Sequence, residues 1–220
     1  MVDKTPISIE LVKKEAKYFC EEQSKVNHQE LLGVTDGKAV GTYIEHKFEQ
    51  YLQSKYDVVI GSSASGIDIP DKRINTDIKT TSINQPQSSC PYKDSKQKIF
   101  GLGYNLLVFV YDKKDDGNRC TLKFNHCVFI NADRTADFTL TKLIRNHKSI
   151  GANEEDILSL LIDKALPGDE ITLKNIAKDI LQQDVKQGYL TISNALQWRL
   201  QYARVIGLNN TVDGVSNFDW

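Results

Sequence analysis

Residues Tyr104-Asn105-Leu106-Leu107-Val108-Phe109-Val110-Tyr111 form a nearly continuous apolar run. A run of this length and β-prone character predicts a strand covered on both faces within a mixed sheet. Upstream, Val40 to Leu52 carries apolar residues at 40, 44, 48, 51 and 52, the stripe of an amphipathic helix, and Glu45 and Glu49 form an i, i+4 row beside it. Between helix and strand lie two short apolar runs, Gly66-Ile67-Asp68-Ile69-Pro70 and Ile74-Asn75-Thr76-Asp77-Ile78-Lys79, joined by the turn-forming Pro70, Asp71 and Lys72. The order is helix, hairpin, buried strand.

Alternation along a strand sets Ile67 and Ile69 on one face and Asp68 on the other, and likewise separates Ile74 and Ile78 from Asp77 and Lys79. A hairpin pairing Asp68 with Asn75 or Asp77 gathers Asp68, Asp77 and Lys79 on one side, with cross-strand neighbours roughly 4.5 to 8 Å apart. Carboxylates this close repel unless a cation lies between them, and hard oxygen donors suit Mg²⁺. Lys79 beside such an ion either stabilises charge on an attacked phosphate or helps deprotonate an acidified water. The helix brings Glu45 toward the same place as a third carboxylate.

Taken together, Glu45, Asp68, Asp77-Ile78-Lys79 and Thr80-Thr81 resemble the PD-(D/E)xK nuclease superfamily, and within it the type II restriction endonucleases, over about residues 40 to 112. The resemblance implies an α/β (α+β) fold with a central mixed sheet flanked by helices. It also implies hydrolysis of both strands of double-stranded DNA at a specific site by metal-activated water, with Mg²⁺ as cofactor and a homodimer as the working unit. By the same resemblance, Asp68, Asp77, Glu45 and the backbone carbonyl of Ile78 hold Mg²⁺, and Lys79 is the catalytic lysine. Asp71, the literal partner of Pro70, competes with Asp68 for the place of first acid. The turn position of Asp71 favours Asp68.

The chain has 220 residues, enough for one domain or one plus an appendage, and its 40% hydrophobic and 26% charged residues are ordinary for a soluble globular protein. Net charge is −1, so no global basic field marks it as a nucleic-acid binder, and lysines must act locally. Cysteines 20, 90, 120 and 127 lack C-x-x-C spacing and, with no secretory signal, read as reduced thiols in the cytoplasm. No apolar run approaches the roughly 20 residues that span a bilayer. The absence of a Walker A loop and of G-x-G-x-x-G gives no sign of a nucleotide cofactor.

The expected organisation is a nuclease core with N-terminal helices over 1–150 and a helical subdomain over 151–220. Tyr56 to Ile60 reads as a strand, as does Leu122 to Asn131, and helices are expected over 6–24, 139–146, 153–165 and 173–182. Asn194 to Ile206 reads as a further helix, resembling the second helix of a helix-turn-helix. Candidate DNA contacts are Gln87, Ser88, Lys96 and Lys98 after the catalytic run, and Ser193, Asn194, Gln197 and Arg199 in the C-terminal part. Two other readings compete: a repair or junction-resolving nuclease of the same superfamily, and a noncatalytic DNA-binding regulator.

Overall fold

The computed structural model describes residues 4–61, 66–89, 93–194 and 198–220. The chain forms two compact units, one built from Met1–Ser88, Tyr104–Ile130 and Leu208–Trp220, the other from Ser89–Gly103 and Asn131–Gly207. The division therefore differs from a single cut near residue 150: the last residues return to the first unit, and a short segment before Tyr104 joins the second.

The first unit opens with β1 (Thr5–Pro6) and α1 (Ile9–Gln23), whose N-cap Ser8 accepts from the Leu11 N–H. Next comes α2 (Gly37–Lys55), capped by Asp36 on the Lys38 N–H, and then β2 (Tyr56–Asp57), which pairs in parallel with β1. The expected strand over 56–60 is thus cut to two residues. The central sheet consists of β3 (Thr76–Ser82), β5 (Asn105–Asp116), β6 (Arg119–Ile130) and β9 (Val215–Asp219), in the order β3-β5-β6-β9; β4 (Gln87–Ser89) lies outside it. Parallel pairing of β3 with β5 and antiparallel pairing of β5 with β6 and β6 with β9 make the sheet mixed, as expected. A two-residue turn led by Gly117, at φ 57°, joins β5 to β6.

Every residue from Leu106 to Tyr111 is buried, so β5 is covered on both faces as its composition predicts. On one face Leu107, Phe109 and Tyr111 share a core with Phe19 of α1 and Ile44, Phe48 and Leu52 of α2. Phe48 meets Phe109 edge to face at 5.1 Å, and Phe19 meets Phe48 in the same way at 5.1 Å. This packing lays α2 along β3, the edge strand.

The second unit contains α3 (Gln97–Phe100), α4 (Phe138–Ser149), α5 (Glu154–Asp163), α6 (Glu170–Gln182), β7 (Thr191–Ile192), β8 (Arg199–Gln201) and the single-turn α7 (Ala203–Ile206). Helices α4 to α6 answer to the expected helical stretches, and Asn153 and Asp156 close a capping box at the start of α5. The helix expected over 194–206 is corrected. Arg199–Gln201 is a strand, paired antiparallel with β7 through Thr191↔Gln201 and Ile192↔Leu200. Arg199, Leu200, Gln201 and Tyr202 alternate exposed, buried, exposed, buried, a period of two that a helical reading misses. No helix-turn-helix is formed there among the described residues.

Among the described residues, no helix is long and apolar enough to cross a membrane.

Candidate active site

The site is assembled on the free side of β3, within the first unit. Asp77 and Lys79 alternate to the same face, and the Lys79 ammonium lies 2.6 Å from Asp77 Oδ2. The expected first hairpin strand is not a strand. It is reduced to one antiparallel bridge, in which Ile69 N–H donates to Thr76 O at 2.9 Å and Thr76 N–H to Ile69 O at 3.0 Å. That bridge places Asp68 in register with Asp77. Asp68 Oδ2 accepts the Ile78 N–H at 2.7 Å, closing one backbone donor on the outer edge of β3. The Ile78 carbonyl accepts from Lys79 Nζ at 3.3 Å.

Helix α2 supplies the remaining carboxylates. The helix lies against the strand at Gly41, where a Cβ would make ordinary contact with Thr80 Cβ at 3.7 Å, and Thr80 Oγ1 donates to Glu45 Oε1 at 3.4 Å. Thr80 shares its face with Ile78, not with Asp77 and Lys79, so Glu45 reaches the strand from the helix side. Glu49 follows one turn later on the same helix face.

The electrostatics are those of acids crowded around too little positive charge. Burial raises the pKa of Asp77 to about 7; Lys79 pulls it down, while the hydrogen bond and charge of Asp68 push it up. Glu49 is raised to about 7 by burial and by Asp68. Glu45 is raised by burial and Asp68, with Lys79 and Thr80 opposing. Burial works against the Lys79 charge, yet Asp77, Asp68 and Glu45 together raise its pKa, so it keeps its proton.

Asp71, the rival first acid, is differently placed. It is 5% exposed, and its carboxylate is occupied by the Arg73 guanidinium and by the N–H groups of Arg73 and Val59. Those bonds, led by that of the Arg73 side chain, lower its pKa to about 2. It lies in the turn, as its sequence position suggests.

Among the described residues no three His, Cys, Asp or Glu side chains form a ready-made metal cage. Mg²⁺ needs only one or two carboxylates from a protein. Asp68 and Asp77 supply two, set opposite each other across the bridge where a cation would relieve their repulsion, and the donor chemistry fits the ion.

The expected DNA contacts fall in both units. Gln87 and Ser88, in β4, are half-buried, and the Gln87 backbone exchanges hydrogen bonds with Thr81 Oγ1. In the second unit the exposed Lys96 pairs with Asp179, whereas Lys98 is buried with its ammonium on Asn194 Oδ1. Burial lowers the Lys98 pKa against the pull of Asp137. Asn194 also donates to the Lys164 carbonyl at 3.0 Å, and the Arg199 N–H donates to Ser193 Oγ at 3.1 Å, leaving the Arg199 side chain exposed. Gln197 lies outside the described residues. The sequence alone does not assign Glu49 or Arg73 to the neighbourhood of the site, although the i, i+4 spacing of Glu45 and Glu49 is visible in the chain.

Two facing aspartates, a lysine on the same strand face and helix-borne glutamates are the residue types with which enzymes hydrolyse phosphodiesters through a bound divalent ion. Comparison with known proteins agrees with that class. The family described as "Type II restriction enzyme NspV" matches residues 6–217. The type II restriction enzyme NspV of Nostoc sp. (strain ATCC 29411 / PCC 7524) is 51% identical over 213 residues, 96% of this chain and 96% of that protein. The chain belongs to the type II restriction enzyme NspV family. No solved structure matches it.

Proposed function

We propose that this type II restriction enzyme is a Mg²⁺-dependent endonuclease of the PD-(D/E)xK kind, cutting both strands of double-stranded DNA as a homodimer in the cytoplasm. The observation that carries the reading is the register of Asp68 against Asp77, with Lys79 on the same strand face at 2.6 Å from Asp77.

In this reading Asp68 and Asp77 hold the ion, with the Ile78 carbonyl and Glu45 as further oxygen donors. When bound, Mg²⁺ lowers the pKa of a water and draws charge from the attacked phosphate. Lys79 remains an ammonium, and its part is to stabilise negative charge that develops on the phosphate oxygens. Thr80 orients Glu45 through its hydroxyl, and Asp68 holds the Ile78 amide so that the strand edge stays in place. Gln87, Ser88, Lys96, Lys98, Ser193, Asn194, Gln197 and Arg199 stand as proposed DNA contacts. The exposed Arg199 is the best placed of them to meet a phosphate, and the buried Lys98 acts by holding Asn194.

The test is incubation of the purified protein with unmethylated genomic DNA and Mg²⁺, beside Asp77→Asn and Lys79→Ala. Discrete fragments are expected from the parent protein with Mg²⁺ and none with a chelator. Full cleavage by Asp77→Asn would overturn the site, and cutting confined to branched or damaged DNA would favour a repair nuclease.

A further inference from the structure

We propose that Asp71 and Arg73 are positioning residues that set the register of the ion-binding pair. The inference rests on the reading of Asp68 and Asp77 as that pair. The backbone connection is short: Asp68 and Asp77 are set opposite each other by the one bridge between Ile69 and Thr76. One bridge gives little register specificity of its own, and a slip by one residue would turn the aspartates to opposite faces. Something outside the bridge has to fix the turn.

Asp71 does so with its backbone and its side chain. Its carbonyl accepts from the N–H of Ile74 at 2.9 Å and of Asn75 at 2.6 Å, and Asn75 takes the left-handed conformation, φ 34°, that folds the chain back into β3. Its Oδ1 accepts from the Arg73 N–H at 3.0 Å and from Arg73 Nε at 2.8 Å, while Oδ2 accepts from the Val59 N–H at 3.3 Å and from Arg73 Nη2. Arg73 then reaches outward, donating from Nη2 to the Asp57 carbonyl at 3.0 Å and from Nη1 to the Asp57 carboxylate at 3.3 Å. One planar fork thus ties the turn to β2 and to the segment that leads into the site, where the Gly61 N–H donates to the Asp68 carbonyl at 2.7 Å. Both ends of the Asp68 segment are anchored, one through Gly61 and one through the Asp71–Arg73 clamp.

The consequence is a residue that touches neither ion nor phosphate yet controls ion affinity. Groups that orient metal ligands commonly change affinity or activity by about 10–100-fold when removed. Asp71→Asn keeps the shape of the side chain and removes its charge; Arg73→Lys keeps the charge and loses the fork. Calorimetric titration with Mn²⁺ should show affinity reduced by about 10–100-fold for folded Asp71→Asn, with a smaller loss for Arg73→Lys. The Mg²⁺ concentration for half-maximal cleavage should rise in parallel, saturating Mg²⁺ should restore most of the rate, and DNA affinity in chelator should match the parent protein. Parental Mn²⁺ affinity in folded Asp71→Asn would overturn the proposal, as would a lost rate that Mg²⁺ does not restore. If Asp71→Asn does not fold, Arg73→Lys decides by the same titration. Asp68→Asn separates the two readings: parental ion affinity there refutes the pair itself, whatever Asp71 does.

Discussion

At the turn, Asp71 is surrounded by donors and stays ionised down to about pH 2; three residues earlier in the chain, Asp68 faces Asp77, which holds a proton up to about pH 7. Glu15 belongs with Asp71. Although burial acts to raise its pKa, hydrogen bonds from Lys55, Tyr51 and Tyr56 bring it below the ordinary value, and the group fastens α1 to α2 and β2. Glu49 belongs with Asp77, raised to about 7 by burial and by Asp68. The difference lies in what the fold supplies. Structural carboxylates are given their counter-charges in advance, while those at the β3 edge share one lysine and are left short, which is the condition of a site that gains by taking up a cation.

The largest effect should come from breaking the short-handed side. Asp77→Asn is expected to bring cleavage to background in a restriction digest. Lys79→Ala should cost roughly 10²–10³-fold in rate, the scale for losing one preorganised charge stabiliser. Stability should move the other way: in chelator at pH 8, thermal melts of Asp77→Asn should rise above the parent, because a buried charge has been removed. On the paired side, Asp71→Asn should lose roughly 2–3 kcal/mol, the cost of withdrawing one partner from a charged hydrogen-bond network. A melt of Asp71→Asn as high as the parent's would erase the contrast.

The pH dependence carries the same contrast with its own sign. Asp77 and Glu49 have folded pKa values above their unfolded ones, so their contribution to stability is complete below about pH 4 and is lost as pH rises through about 7. In chelator, melting temperature should therefore fall between pH 6 and 8. Over the same interval Mn²⁺ affinity measured by calorimetry should increase, since protons compete for the same oxygens. Glu49→Gln should flatten part of both curves with a smaller effect than Asp77→Asn; unchanged curves would remove Glu49 from the cluster. Smallest of all, Arg199→Ala should alter stability by no more than about 0.5 kcal/mol, and the salt slope of DNA binding should fall by about one if Arg199 meets a phosphate.

How much of this was legible in the chain varies with the signal. The run from Leu106 to Tyr111 announced a doubly covered strand because every position in it is apolar, and the stripe from Val40 to Leu52 announced α2. The shared strand face of Asp77 and Lys79 followed from alternation alone. The strand expected over 56–60 failed because Val59, though β-prone, is 56% exposed and finds no ladder, its N–H going instead to Asp71. The helix expected over 194–206 failed because pairing with Thr191 and Ile192 overrode a weak helical stripe, an override that no local pattern contains. The choice between Asp68 and Asp71 was only leaning in the sequence. What occupies the Asp71 carboxylate, the Arg73 guanidinium and the N–H of Val59 twelve residues earlier, lies beyond the reach of spacing arguments.

The return of Val215–Asp219 as β9, beside β6, has a consequence for the order in which the first unit is made. Asp68, Asp77, Lys79 and the partner strands β5 and β6 all leave the ribosome before residues 131–207 of the second unit, and β9 leaves after them. At roughly 5–20 residues per second, that interval is several seconds long. A growing chain thus carries its acidic cluster on a sheet that still lacks its last strand, and the sheet is completed only once the second unit has been synthesised.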